Sequence, residues 1–287
     1  YEVSSAGRVV FIVDQNVDNL DELYSVPSDG SASPVRLNGP AISGRGVLNF
    51  WLSPDGASVV YHADESAGEH LFRVPIDGSA PATLLTPSLE VFEVWLSPDG
   101  ARAVFTVWLQ SMRQQLYAVP TDASAAPLLL GTTQPPIDFG STSVQNVRIS
   151  ADGTHAVFHE LFDEDGYENA YFFSAPLDGS QPPRLLNHQP LNPYVLPFDF
   201  DGVERVAFVE GDDLVCVDLD GSQRVQLAPP GWVPQGDIHF TADGTRVVFD
   251  ASNGSHAVFQ APSDGSQAAL QLSSAGAADF NRTYPDV

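Results

Sequence analysis

An Asp-Gly pair ends a strand-like segment again and again along this chain: at Asp55-Gly56, Asp99-Gly100, Asp152-Gly153, Asp201-Gly202 and Asp243-Gly244. The interval is roughly 45 residues, a period that marks repeat architectures. A second series interleaves with the first, at Asp29-Gly30, Asp77-Gly78, Asp178-Gly179, Asp220-Gly221 and Asp264-Gly265, with Asp122-Ala123 as the member that lacks glycine. Each first turn is followed by an apolar run ("RVVFIV", "SVVYHA", "RAVFTV", "HAVFHE", "RVAFVE", "RVVFDA"). Each second turn is preceded by another ("LYSVP", "LFRVP", "LYAVP", "FFSAP", "LVCVD", "VFQAP"), and a short third run follows, as in "ATLLT", "PRLLN" and "ALQLS". Period-two alternation bounded by Gly, Asp, Pro and Ser reads as antiparallel strands joined by tight turns. No stretch offers a capped helix of useful length.

One strand before the first turn and three after it make a four-stranded unit, used six times. A lone four-stranded sheet leaves a face uncovered, and stacking sheets around an axis hides both. The repeat therefore predicts one all-β domain over residues 1–287, a six-bladed β-propeller of four-stranded antiparallel blades. The first copy begins at its second strand, "GRVVFIV", after a remnant "YEVSSA". The C-terminal "AADFNRTYPDV" carries Tyr284-Pro285-Asp286, an echo of Ser53-Pro54-Asp55. The C-terminal segment is thus expected to supply the innermost strand of the N-terminal blade and close the ring.

The pattern "SPDG", then "VVY" or "AVF", then "LF-VP-DG", then "LLT" resembles the TolB-like six-bladed propeller repeat. It is clearest in "LSPDGASVVYHADESAGEHLFRVPIDGSAPATLLT" and "LSPDGARAVFTVWLQSMRQQLYAVPTDASAAPLLL", and visible in "ISADGTHAVF" and "FTADGTRVVF". The resemblance covers essentially the whole chain and speaks to fold, because the repeated residues are turn and packing residues. It implies kinship with propellers of a periplasmic translocation protein, of prolyl-oligopeptidase-like enzymes and of some polysaccharide lyases. These residues contain no counterpart of TolB's additional α/β domain and no G-x-S-x-G nucleophile elbow of the peptidases.

Charge narrows the partners. Twelve cations, all arginine, face 37 carboxylates, for a net charge of -25. Such a field repels phosphate backbones and anionic lipid, which argues against nucleic acid and membrane surfaces. It suits cations or a basic partner, and equally serves solubility in a salty or extracellular habitat. No run of about eighteen apolar residues occurs, so membrane insertion is not expected. The opening at Tyr1 fits a processed or a trimmed chain, and an extracytoplasmic (periplasmic or secreted), monomeric protein is the expectation. Cys216 is alone, which rules out an internal disulfide.

Candidate sites fall on the loops between second and third strands, which vary while the Asp-Gly turns do not. In "DQNVDNLDE", Asp14, Asn16 and Asp18 have the odd-position spacing of a calcium loop, for calcium or another divalent cation. The loop lacks the glycine at position six and the glutamate at position twelve, where Ser25 stands, so a solvated acidic loop is the alternative. "DEDGYEN" (163–169) is a similar case. At one register of the inner strands stand Asn49, Glu93, Asn146 and Asp237, with Val195 and Phe280 at the remaining two copies. They read either as the wet lining of a channel or as a small-ligand or cation site centred on Glu93 and Asp237. Trp108 and Trp232 fall in variable segments and are candidate aromatic anchors, whereas Trp51 and Trp95 share an inner-strand position that suits packing between blades. The seven histidines occupy mostly inequivalent positions, and "HELFD" (159–163) lacks the second histidine of a zinc-protease helix.

Two readings of function follow. The first is a non-catalytic binding scaffold that presents its variable loop face to a protein, peptide or glycan, since no complete catalytic constellation is legible. The alternative is a divalent-cation-dependent lyase or hydrolase at the channel mouth, with Glu93 as ligand or general base.

Overall fold

The structure is a computed structural model. It describes residues 1–273 except 17, 40–45, 66–67, 110–112, 132–141, 165–166, 190 and 192–196. Among the described residues all regular structure is β, and no helix is long and apolar enough to cross a membrane. The strands fall into six consecutive sets of four. The first is β1 (Glu2–Val3), β2 (Arg8–Val13), β3 (Glu22–Pro27) and β4 (Val35–Arg36). The second is β5 (Gly46–Leu52), β6 (Ser58–Asp64), β7 (Glu69–Pro75) and β8 (Thr83–Leu84). The third is β9 (Val91–Leu96), β10 (Arg102–Leu109), β11 (Arg113–Pro120) and β12 (Leu128–Leu129). The fourth is β13 (Thr142–Ile149), β14 (His155–Glu164), β15 (Tyr167–Pro176) and β16 (Arg184–Leu185). The fifth is β17 (Phe198–Phe200), β18 (Arg205–Glu210), β19 (Asp213–Asp218) and β20 (Val225–Gln226). The sixth is β21 (Val233–Phe240), β22 (Arg246–Ser252), β23 (His256–Pro262) and β24 (Leu270–Gln271). Within each set the strands lie in chain order. The fold is a six-bladed β-propeller.

The chain divides into two compact units, Tyr1–Gly166 with Ala175–Pro183, and Tyr167–Ser174 with Arg184–Val287. The first holds three complete blades and β13–β14; the second holds most of β15, together with β16 and the last two blades.

The repeated letters have identifiable work inside a blade. The aromatic of "VVF" or "VVY" stacks on the aromatic of the facing strand: Phe11 on Tyr24, Tyr61 on Phe72, Phe105 on Tyr117 and Phe249 on Phe259, with interplanar angles of 13–19°. These are direct cross-strand partners, the pairs that stabilise a sheet most. The polar residue ending the third run completes the ladder where the two-residue outer strand stops. Asn38, Thr86 and Asn187 accept the backbone N–H of Leu23, Leu71 and Phe172 at 2.9, 3.0 and 2.7 Å. A main-chain donor that would otherwise be buried unpaired is thereby satisfied.

Between blades the contact is made by the turns. Gly100 has φ +67°, and a Cβ there would stand 2.3 Å from Pro54 Cδ in the first turn of the preceding blade. Gly78 has φ +69° and would meet Val35 Cγ1 of the preceding outer strand at 2.6 Å. Only glycine tolerates both the left-handed backbone and the approach. The same seating recurs in the first unit for Gly153 on Asp99 and Gly179 on Leu128, and in the second for Gly221 on Arg184 and Gly265 on Val225. Above these seats the apolar faces merge. Val60 and Leu71 of the second blade share one buried cluster with Val91, Phe105 and Val119 of the third.

The N-terminus departs from expectation. The remnant "YEVSSA" is itself the innermost strand of the first blade: Glu2 pairs with Val10 and Val3 with Val9. Ser4 then closes the turn by accepting the N–H of Gly7 and of Arg8. Two strand residues in six were too few to register as a strand by alternation. The expected C-terminal closing strand lies outside the described residues.

Two predictions follow from the turns. Gly100→Ala adds a clash to a left-handed backbone, so it is expected to cost about 3 kcal/mol or more. Gly30→Ala, at φ +71° with nothing within 4 Å, should cost only about 1 kcal/mol; urea denaturation of the two variants checks the difference. In the second prediction, hydrogen bonds from Ser53, from Ser150 and from Thr241 hold the carboxyls of Asp55, Asp152 and Asp243 below the usual range, and bonds from Ser79 and Ser180 do the same for Asp77 and Asp178. With folded pKa values below the unfolded one, the stability they confer is complete above about pH 4 and is lost as pH falls through the folded values. The melting temperature should therefore drop between pH 4 and 2, and a flat profile over that window would count against it.

Candidate binding groove between the second and third blades

Strict alternation along β9 would place Phe92 with Val94 and Leu96 on one face. The register shows otherwise. Val94 pairs with Phe105 and Val91 with Val107, so β9 carries one residue more than β10 over this stretch. The bulge turns two consecutive side chains outward, and Phe92 and Glu93 are both exposed. The extra N–H is not orphaned: Glu93 N–H donates to Oγ1 of the fully buried Thr106 at 3.1 Å. Re-aiming a side chain is a recognised use of a bulge. Here it sets Phe92, 53% exposed, edge-on to Trp108, 47% exposed, with ring centroids 6.1 Å apart at 77°.

The same device recurs. β5 is bulged between Val47 and Asn49 opposite β6, β13 between Gln145 and Arg148 opposite β14, and β21 between Pro234 and Ile238 opposite β22. The four polar inner-strand residues expected from the sequence, Asn49, Glu93, Asn146 and Asp237, thus stand at bulges. Asn49 is exposed and accepts the N–H of Phe50 at 2.8 Å. Asn146 is exposed with φ +57°, its amide 3.4 Å from Nδ1 of His159. Burial pushes His159 down to about 3, so that ring is neutral at ordinary pH. Asn49, Glu93 and Asn146 belong to the first unit. Asp237, also exposed, belongs to the second; Val195 and Phe280 lie outside the described residues.

Leu48, the residue inserted in β5, and Phe92, turned outward in β9, face a groove of about 480 Å³. His62 and Glu69, at the loop ends of β6 and β7, line it together with Glu90, Val91 and Trp108. All belong to the first unit. His62 is buried and its Nε2 lies 3.5 Å from a Glu69 oxygen; Glu90 is exposed. The lining therefore mixes apolar side chains (Leu48, Val91, Phe92, Trp108) with polar ones (His62, Glu69, Glu90), a combination suited to fixing a ligand by burial and orienting it by a few polar groups.

The other expected site residues have different surroundings. Trp232 is not an exposed anchor: it is half-buried, edge-on to Phe259 at 4.8 Å, and packs on the core of the sixth blade. Its segment is loop-like in sequence, yet the indole fills the space beside the short fifth-blade strands. Trp51 packs into the cluster between the second and third blades, as its position suggested. In the 14–22 loop, Asp14 accepts the N–H of Asn19 at 2.8 Å, and Asn16 turns its amide to the buried Glu22 at 2.9 Å, itself paired with Arg36 at 2.8 Å. Asp18 is exposed. Among the described residues no group of three or more His, Cys, Asp or Glu is placed to hold a metal ion. The side chains at 163–168, which include most of "DEDGYEN", lie outside the described residues.

No family model matches the chain, and a search of curated proteins returns no relative. Solved structures do resemble it. Dipeptidyl peptidase 4 from Porphyromonas gingivalis is 14% identical and aligns over 95% of this chain and 45% of its own, with a TM-score of 0.54. The likeness is one of fold. TolB from Acinetobacter baumannii is 18% identical over 91% of this chain and 62% of its own, TM-score 0.38. A puromycin hydrolase is 20% identical over 94% and 44%, TM-score 0.44. The chain therefore spans less than two thirds of each of these proteins.

Thr106→Val removes the acceptor for the bulge N–H and keeps the shape. It should destabilise the protein by about 1–2 kcal/mol and alter the emission of Trp108, both readable in one fluorescence-monitored denaturation.

Proposed function

We propose that this propeller is a non-catalytic binding module, monomeric and extracytoplasmic, whose loop face engages a protein, peptide or glycan. The observation that carries the reading is the exposed Phe92–Trp108 pair at the edge of the groove. Large aromatics held outward on strands, beside a cavity, bring contact area at little entropic cost and are the side chains that dominate binding energy elsewhere. An exposed apolar patch of this kind on an otherwise acidic surface marks an interaction site more often than chance exposure. The enclosing strands are fixed by the inter-blade packing below them, so the pair is preorganised.

Arrays of peptides and of glycans, probed with the natural chain and with Phe92→Ala/Trp108→Ala, test this directly. At least one ligand class should bind, and the double variant should weaken it tenfold or more. Absence of any binder, or binders indifferent to both substitutions, would refute the reading. So would turnover of a bound ligand that disappears with Glu93→Gln or Asp237→Asn.

A further inference from the structure

An asparagine side chain can react with its own backbone when glycine follows, because a nitrogen with no Cβ beside it is open to approach. The chain holds two Asn-Gly pairs, Asn38-Gly39 and Asn253-Gly254, and the fold treats them oppositely. Asn38 is buried. Its Oδ1 accepts the N–H of Leu23 at 2.9 Å, and its Nδ2 donates to the Gly39 carbonyl at 3.1 Å. To turn onto the Gly39 nitrogen it must give up both bonds and open the end of a buried ladder, which costs a large share of unfolding.

Asn253 stands at the tip of the β22–β23 hairpin. The ladder ends where Ser252 faces His256, and Asn253 and Gly254 are both exposed. Gly254 has φ +103°, and a Cβ there would meet nothing within 4 Å. Its N–H makes a long bond to Ser252 Oγ, at 3.3 Å. Asn253 Oδ1 accepts the N–H of Ser255 at 3.3 Å, an arrangement that folds the amide back over the turn that follows it. That donor also draws electrons from Cγ and faces the oxygen on which charge develops when Cγ is attacked. Exposure, an uncrowded nucleophile and a polarised carbonyl thus meet at Asn253, whereas Asn38 is held in the core.

We propose that Asn253 is a site of spontaneous covalent modification, converting in the folded protein to aspartate and isoaspartate through a succinimide. The Gly254 nitrogen gives its proton to water and bonds to Cγ of Asn253. The Cγ–Nδ2 bond breaks, and the amide nitrogen takes up a proton and leaves as ammonia. Water then adds to one of the two ring carbonyls. Opening at Cγ yields aspartate; opening at the backbone carbonyl yields isoaspartate, with the chain now running through Cβ and Cγ. No oxidant or reductant is consumed. Either product places a new carboxylate on the loop between β22 and β23, and isoaspartate also lengthens its backbone by a methylene.

To test this, the purified chain is aged at mildly alkaline pH, digested with pepsin in acid, where ring closure is slow, and mapped by mass spectrometry. The peptide bearing Asn253 should gain the mass of an amide exchanged for a carboxyl and resolve into two products. Asn38 should convert at no more than about a tenth of that rate. In urea, where burial no longer distinguishes them, the two positions should convert at similar rates. Gly254→Ala, which keeps Asn253 and crowds the attacking nitrogen, should slow the conversion roughly fivefold or more. Should the alanine variant fold poorly, the comparison of the native chain with the same chain in urea decides the matter alone. An intact Asn253 in the folded chain, at a time when both positions have converted in urea, would overturn the inference. Equal rates at Asn38 and Asn253 in the folded chain would overturn it too, as would conversion of Asn253 indifferent to Gly254→Ala.

Discussion

The packing of this molecule depends on the close approach of turns such as those at Gly78, Gly100 and Gly265 to the blade before them. A four-stranded sheet with two apolar faces is unstable alone, and it becomes stable when a neighbour covers it. The approach that allows this is set by backbone, not by side chains. Gly100 on Pro54 and Gly78 on Val35 bring turns within distances that no Cβ permits, and the buried cluster that joins Val60 to Phe105 forms because the turns below it have closed. The aspartate before each glycine has a complementary task. By accepting the N–H two residues on, as Asp99 does from Ala101 at 3.0 Å and Asp77 from Ser79 at 3.0 Å, it fixes the turn in the conformation that the seat demands.

This division of labour explains why the fold was legible in the sequence and the site was not. Turn geometry is local: Asp-Gly, the Ser two residues before the first turns and the Pro before the second are each dictated by a few neighbouring atoms, so they recur and announce the period. Asn38, Thr86 and Asn187 stand at the ends of equivalent third runs and do one job in three blades. A bulge obeys no such local rule. Phe92 reads as a core residue by alternation, and only the register of β9 against β10 reveals that it faces solvent. Trp232 errs in the opposite direction, because a residue in a loop-like segment finds a partner in Phe259 that is distant in sequence. The polar register at Asn49, Glu93, Asn146 and Asp237 was visible, while the feature those positions share, a break in pairing, was not.

The bulges also reconcile rigidity with variety. A propeller needs inner strands that are held firmly at the turn end, where blades seat on one another. A binding face needs side chains that differ from blade to blade at the other end. Inserting a residue halfway along the inner strand uncouples the two. Below the insertion, Trp95 and Leu96 keep the common register with Val104 and Ala103; above it, Phe92 is released from that register. Thr106 makes the change tolerable by accepting the displaced N–H from within the core.

Charge follows the same partition. Carboxylates at the turn end are consumed by hydrogen bonds to their own turns, with Arg8, Arg73 and Arg102 of preceding blades nearby. Hydrogen bonds from Ser79, Ser124 and Ser180 hold the carboxyls of Asp77, Asp122 and Asp178 below the usual range. At the loop end of the second and third blades Glu69 and Glu90 line a cavity together with Phe92 and Trp108. The long-range field of the remaining acidic surface then acts on encounter, while the aromatic pair acts only at contact, where desolvation makes a π-face and a carboxylate worth more than either is in water.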